Sequence, residues 1–514
     1  MNKFRSRFGI AFVLIAVLAS CASPNAPFNT RTVPSYWPTD GWRAASPEEQ
    51  GMDSELLAQM TEHIQKEQLD LHSLLIVRNG YLVSEIYGYP YSADQVHWIA
   101  SVTKSVVGAL VGIAIEQGYI KDVHQPLFSL LPDQNVSNLD EKKKAITLED
   151  LLTLTTGLEC QDNPDIPMME ASNNWVDFVL NLPMATEPGM QFNYCTGVVH
   201  VLSAILQKAT GMSAREFANQ TIFSQIGIGP ITETRWPSDP QGVTLGGYGL
   251  TLTPQEMAKF GYLILNHGKW DGKTIIPANW VTASTTRHTQ KDDGKDYGYL
   301  WTIDPQGKYY SALGRGGQHI FVFPDENMLV VFTAGLPPDN NADLIPLQEL
   351  LDQYILPAVK SDRPLPANPK SLARLEAGVQ ALAGPKQISQ SLPAIAAEIS
   401  DKKFTLDENP FGLQTIVFSF KEGTKEATAT LNDANPLPIG LDNAYRIIDG
   451  GDSPFSEGLR GRWENQDTFV VDDVVIGDMV QFEYRVQFSG NTIHLIRHEK
   501  YSGNEVEFQG ALEH

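Results

Sequence analysis

The sequence is short of the features that mark several classes of protein. It holds three cysteines in 514 residues, too few for a fold stapled by disulfides. Neither CxxC nor HExxH occurs. The one HxxxH, His494 to His498, lies in the strand-like run "NTIHLIRHE", which would set the rings roughly 13 Å apart, so no metal site is expected. There is no basic cluster, and 38 basic against 61 acidic residues leave a net charge of −23. That balance opposes nucleic acid and anionic lipid surfaces as partners. Beyond the first twenty residues there is no long apolar run that could span a membrane. No G-x-S-x-G elbow is present, which disfavours an α/β-hydrolase triad.

What is present begins with an export signal. Lys3, Arg5 and Arg7 precede an apolar core from Phe8 to Leu18, the length a signal peptide uses. "LASC", Leu18 to Cys21, resembles the lipobox of bacterial lipoproteins. The resemblance implies cleavage before Cys21, lipid on its thiol and a place in the cell envelope. Ala22, rather than aspartate, then points to the outer membrane rather than the inner, with the lipid at Cys21 as the only membrane contact. Loss of residues 1–20 removes three basic residues and no acidic one, taking the charge to −26. A Pro-rich tether is expected over residues 21–40.

Two β-prone runs in "LHSLLIVRNGYLVSEIYGY" flank Asn79-Gly80, a strong hairpin signal. Helices follow, three of them opened by capping boxes at Ser46 to Glu49, Thr147 to Asp150 and Thr253 to Glu256. Strand patterns return over residues 297–335. Strands at both ends with helices between them predict an α/β layered domain over residues 41–358, its sheet closed by distant segments. A Pro-rich linker with one short helix near Ser371 to Leu382 is expected over 359–395. Alternating runs broken by Gly, Asn or Asp then predict a separate all-β domain over 396–514.

Ser-x-x-Lys occurs twice, at Ser101 to Lys104 and Ser400 to Lys403. The second lies in a charged stretch and reads as surface. The first opens "SVTKSVVGALVGIAIEQ", apolar nearly all round and therefore a buried helix. On a helix, residues three apart share a face. A lysine there loses solvation, which disfavours the ammonium and readies the amine to take a hydroxyl proton. The helix N-terminus favours negative charge developing on Ser101.

With "ITLEDLLTLTTGL", "EPGMQFNYCTGVVHVLSAILQKATGM", "GLTLTPQEMAKFGYLILNHGKWDGKTIIPANWV", "YGYLW" and "LGRGGQHIFVFPDENMLVVF" following in order, the chain resembles the serine β-lactamase and penicillin-binding-protein-like superfamily. The branch it is most similar to is the class C β-lactamase-like one, which includes esterases and 6-aminohexanoate-dimer hydrolases. The resemblance covers about residues 42–356. It implies an antiparallel sheet flanked by helices, a helical subdomain, and acyl transfer on a small-molecule or peptide ester or amide without a cofactor.

By the same resemblance Ser101 is the nucleophile, Lys104 its base and Tyr194 a second proton carrier. Thr196 stands where many relatives place a substrate-binding asparagine. Arg315, Gly316 and Gly317 occupy the third motif, the glycines admitting substrate close to the backbone, and the N–H of Gln318 joins that of Ser101 as the oxyanion hole. Arg315 either holds a substrate carboxylate or faces solvent. Absence of the family's usual Lys-Thr pair favours an esterase or amidase over a β-lactamase. Cys160 and Cys195 would both lie near the site, so a disulfide between them is plausible, with two free thiols the alternative. A penicillin-binding peptidase and a non-catalytic surface receptor on the same fold remain the competing readings.

Overall fold

The computed structural model describes residues 36–337, 343–386, 388 and 391–513. The expected signal peptide, the lipidated Cys21 and the tether to residue 35 lie outside the described residues. At Tyr36 the chain is already anchored, its hydroxyl donating to the Gly80 carbonyl at 2.6 Å. Trp37 packs against Tyr262 and Trp270. No helix among the described residues is long and apolar enough to cross a membrane.

Asn79 and Gly80 adopt φ of 52° and 85°, the left-handed pair that a tight hairpin turn requires. The hairpin joins the strands Leu71–Arg78 and Tyr81–Tyr87. Leu71–Arg78 then pairs with Met328–Ala334 across more than 250 residues of sequence, Leu75 opposite Val331 and Val77 opposite Leu329. The full antiparallel order continues through Gln318–Phe323, Tyr310–Gly314, Thr302–Ile303, Asp296–Tyr297 and Thr289–Gln290. This is the expected sheet, closed by segments from the two ends of the domain.

Every residue of Leu71–Arg78 is buried, because helices cover both faces of the sheet and alternate side chains enter different cores. Leu75 and Val77 join the core under the helices Val102–Glu116 and Pro254–Leu265, whereas Leu74 and Ile76 join that under Ser54–Glu67. Capping boxes open helices at Thr147 and Thr253 as expected. The third pair, Ser46 and Glu49, makes the reciprocal bonds but starts only a single short turn, Glu48–Gln50.

Helix Pro369–Leu382 lies along Ser54–Glu67. Arg374 reaches both oxygens of Glu62 at 2.6 Å, and Ser371 donates to Glu55 at 2.8 Å. Helix Ala394–Ile399 then sends Ala396 and Ile399 into the core of the C-terminal domain. Ten strands from Lys403 to Leu512 form that domain, and the first and last strands of the series pair with each other. Gly440 pairing with Arg460 closes it into a barrel, packed inside by Phe404, Phe418, Phe420, Phe469 and Phe488.

The barrel docks on the preceding α/β domain. The Trp98 N–H donates to the Gly477 carbonyl at 2.8 Å, the Tyr445 N–H to the Tyr89 hydroxyl at 2.7 Å, and the Gln481 side-chain amide to Asp70 at 2.5 Å. Tyr91, Tyr445, Val474 and Ile476 form a small apolar cluster there. His72 stacks on Tyr91 at 3.7 Å with His97 beside both.

Burial holds His72 and His319 down at about 3, and His97 well below its ordinary value. Asp70, 3.8 Å from His72, is pushed up by the same burial. A histidine whose folded value is depressed is protonated first in the unfolded chain as pH falls through about 6.5. Stability present above that pH is therefore lost below it, by about 1.4 kcal/mol per pH unit for each such histidine down to the folded value. Urea unfolding at pH 7.5 and pH 5 should show a marked drop. Carboxyls raised by burial, Asp70 and Asp473 among them, work the other way, so the wild type is compared with His97→Gln, and an equal drop in both would mean that this ring is solvated.

Candidate active site

The chain reaches the site through a short strand, His97–Trp98, and a sharp turn. Ala100 takes φ of 47°, a left-handed conformation that costs an L-residue energy and is found where the fold holds a functional turn. Ser101 caps the helix Val102–Glu116, whose residues from Val102 to Ala114 are all buried.

Lys104, one turn into that helix, is 2% exposed. Its ammonium donates to the Ser101 Oγ at 2.8 Å, the Thr196 Oγ1 at 3.0 Å and the Gly247 carbonyl at 2.8 Å. The nitrogen thus has three partners, and none of them is a carboxylate. Gly247 comes this close because it lacks a side chain: a Cβ there would stand 2.5 Å from the Thr196 Cγ2. The Tyr194 ring faces the same ammonium, its centroid 4.9 Å away.

Thr196 opens the helix Thr196–Thr210. Its hydroxyl accepts from Lys104 and donates to Asp162 Oδ2 at 2.7 Å, while its backbone N–H donates to Asp162 Oδ1 at 2.8 Å. The hydroxyl expected to meet substrate is therefore already engaged on both sides. Its structural place is between Lys104 and Asp162. A disulfide joins Cys160 to Cys195, holding the segment that carries Asp162 against the start of the Thr196 helix. The sequence did not single out Asp162; the cystine is the signal that would have paired it with Thr196.

The Asp162 contact carries a direct test. Asp162→Asn keeps the size but removes the anion that orients the Thr196 hydroxyl, and kcat is expected to fall about tenfold with KM less affected. A steady-state comparison in which only KM moved would place Asp162 against substrate instead.

These residues line a cleft of about 640 Å³, together with Trp98, Ile166, Glu170, Phe192, Tyr248, Tyr297, Asp343 and the 291–293 loop. Tyr248 and Glu170 hydrogen-bond to each other at its edge. Burial keeps Tyr297 a neutral phenol beside Tyr194.

The third motif departs from the sequence-based expectation. Gly316 and Gly317 take φ of 77° and 89° and turn the chain back on itself. Gly314 and the exposed Arg315 line the cleft as a result, whereas Gln318 pairs across the hairpin with Gly314. Gln318 is 2% exposed, and its side-chain amide donates to the Ala334 carbonyl at 2.6 Å. At this turn the cleft is lined by Gly314, Arg315 and His319.

Gly316 and Gly317 do not line the cleft. A Cβ on Gly316 would stand 2.9 Å from the Met479 Sδ of the barrel, and one on Gly317 would press on Ala334. Their conformation and packing, rather than substrate approach, demand glycine. The Gly316 N–H is taken by Asp343 at 3.0 Å. The second Ser-x-x-Lys is surface as expected, Ser400 bonding the Phe420 carbonyl and Lys403 pairing with Asp433.

Among known proteins, a 6-aminohexanoate-dimer hydrolase of Paenarthrobacter ureafaciens is 22% identical over 296 residues, 52% of this chain and 73% of that protein. Two solved structures also match. EstCE1, a hydrolase with promiscuous acyltransferase activity, matches with a TM-score of 0.48 at 15% identity, over 60% of this chain and 99% of its own. The octameric penicillin-binding protein homologue from Pyrococcus abyssi matches with a TM-score of 0.46 at 14% identity, over 89% and 99%. The family model for Beta-lactamase matches residues 57–352, the stretch that carries the sheet and the Ser101, Lys104 and Tyr194 cleft, and the chain belongs to that family.

Proposed function

We propose that the protein hydrolyses an ester or amide through an acyl-serine intermediate at Ser101. The observation that carries this is the 2.8 Å contact between the buried Lys104 amine and the Ser101 hydroxyl. Its other two partners, the Thr196 hydroxyl and the Gly247 carbonyl, hold the nitrogen in place beside Ser101.

Lys104 and Tyr194 take the Ser101 proton as its oxygen bonds to the substrate carbonyl carbon. The carbonyl electron pair moves onto oxygen, where backbone N–H groups receive it. Placement in the cleft favours the N–H groups of Ser101 and Arg315 for this task. Collapse of the intermediate breaks the bond to the alcohol or amine, which leaves with the proton. Water then adds to the acyl-serine, giving up a proton by the reverse path and freeing the acid.

The cystine fits an exported protein in an oxidising compartment, and with the lipobox it supports a place in the bacterial envelope.

The test is intact mass after exposure to a fluorophosphonate, with Ser101→Ala alongside. One adduct on the wild type and none on the variant is expected. A folded wild type that takes no adduct would remove the catalytic reading and favour a binding protein.

A further inference from the structure

Thr196, His200 and Ser203 stand at positions i, i+4 and i+7 of the helix Thr196–Thr210 and so share one face. The segment 244–247 runs along that face in the opposite direction. The Ser203 hydroxyl donates to the Thr244 carbonyl at 2.6 Å, His200 Nδ1 accepts from the Gly246 N–H at 3.4 Å, and Gly247 lies against Thr196. So close an approach needs glycine at both positions. A Cβ on Gly246 would stand 2.2 Å from the Val199 carbonyl oxygen, and one on Gly247 would stand 2.6 Å from that of Thr196. The segment ends at the Gly247 carbonyl, which holds Lys104 at 2.8 Å.

Behind this row lies a buried pair. His200 and Asp239 are 1% and 6% exposed, and His200 Nε2 meets Asp239 Oδ2 at 3.0 Å. Asp239 Oδ1 accepts from the N–H groups of Gln241 and Val243 at 2.9 and 2.8 Å, so Asp239 serves as an acceptor on both oxygens. These partners assign the tautomer. The imidazole proton belongs on Nε2, where Asp239 takes it, and the Nδ1 lone pair is left for the Gly246 N–H. Trp175 packs against the ring, with centroids 5.4 Å apart.

We propose that Asp239 and His200 form a positioning pair for the Lys104 site. Asp239 fixes the His200 tautomer, His200 fixes the Gly246 N–H, and the Gly247 carbonyl is thereby held where Lys104 donates to it. Neither residue lines the catalytic cleft, so both act through the Gly246-Gly247 peptide. This rests on the hydrolase reading of Ser101 and adds a supporting part to it. One helix face then supplies two of the three Lys104 partners, Thr196 directly and Gly247 through His200.

Three variants separate the links. Asp239→Asn keeps the shape, and its carbonyl oxygen can still accept from Gln241 and Val243, but its amide then donates to His200 Nε2. The ring proton moves to Nδ1 and meets the Gly246 N–H, donor against donor. His200→Gln keeps a donor near Asp239 but has no acceptor at the Nδ1 position, whereas His200→Asn keeps that acceptor and loses the donor. Asp239→Asn and His200→Gln should slow fluorophosphonate acylation of Ser101 at least about tenfold, with KM for a 4-nitrophenyl ester changed less than about threefold. His200→Asn should acylate at least about five times faster than His200→Gln. Loss of packing alone would slow the two alike, because both remove the ring. Equal rates in the two folded His200 variants would overturn the pair.

Hydrogen exchange at the Gly246 amide separates this from failure of the hydrolase reading. Exchange at least about tenfold faster than wild type in Asp239→Asn and His200→Gln, with His200→Asn nearer the wild type, supports the positioning pair even if Ser101 takes no adduct. Exchange and acylation at wild-type values in all three variants sinks the pair and leaves the hydrolase. Should Asp239→Asn not fold, the comparison of the two His200 variants decides in the same way.

Discussion

Lys104→Met should lower kcat/KM by at least about 10⁴-fold and abolish rapid acylation of Ser101. Methionine fills a similar volume but carries no donor or base, so the serine proton loses the nearest group that could take it. The helix should still form, because its burial comes from Val102, Val106, Val107, Leu110 and Val111 rather than from the amine. Left behind would be the Thr196 hydroxyl and the Gly247 carbonyl without their donor, at about 1 to 3 kcal/mol for each buried group. Release of the lysine from its own desolvation offsets part of that. Rapid-quench kinetics with fluorophosphonate labelling would measure the loss, and circular dichroism would check the fold. Acylation within tenfold of wild type would assign the proton to Tyr194 instead.

Removal of the cystine by Cys160→Ser with Cys195→Ser should destabilise the domain by about 4 kcal/mol, from the chain entropy of the loop it closes; the two cysteines stand 35 residues apart. The effect should reach catalysis as well. Asp162 follows Cys160 by two residues and Thr196 follows Cys195 by one, and the two meet through both the backbone and the hydroxyl of Thr196. Without the covalent tie, the segment from Asp162 to Glu170 is held by that contact, the burial of Met169 and the Tyr248–Glu170 hydrogen bond. Urea unfolding would give the stability change, and kcat is expected to fall about tenfold as the Lys104 partner loosens. Unchanged kcat in a destabilised variant would show that the Asp162 contact suffices without the bridge.

The elements that could be read from sequence depend on neighbours close in the chain. Ser101 and Lys104 meet because three residues nearly complete a helical turn, and the all-apolar run states that the helix is buried. Asn79-Gly80 specifies its own turn, and the alternating runs after residue 400 specify strands. Each of these features is encoded within about a dozen residues, so pattern and spacing were enough.

Contacts between distant segments were decided only in three dimensions. The Asp162 link to Thr196 spans 34 residues, and no local periodicity reports it. In the third motif two consecutive glycines at positive φ turn the chain and leave Arg315 in the cleft wall. Gly316 looked like room for substrate, yet its space belongs to Met479, more than 160 residues away. The β-rich tail was legible as strands, but its closure into a barrel rests on Gly440 meeting Arg460. Its position as a wall beside the cleft rests on contacts such as Trp98 with Gly477. A sequence therefore states which residues can share a helix face or a strand, because those geometries repeat every few residues. Which loop, glycine or domain completes the site is set by packing between segments whose separation carries no pattern.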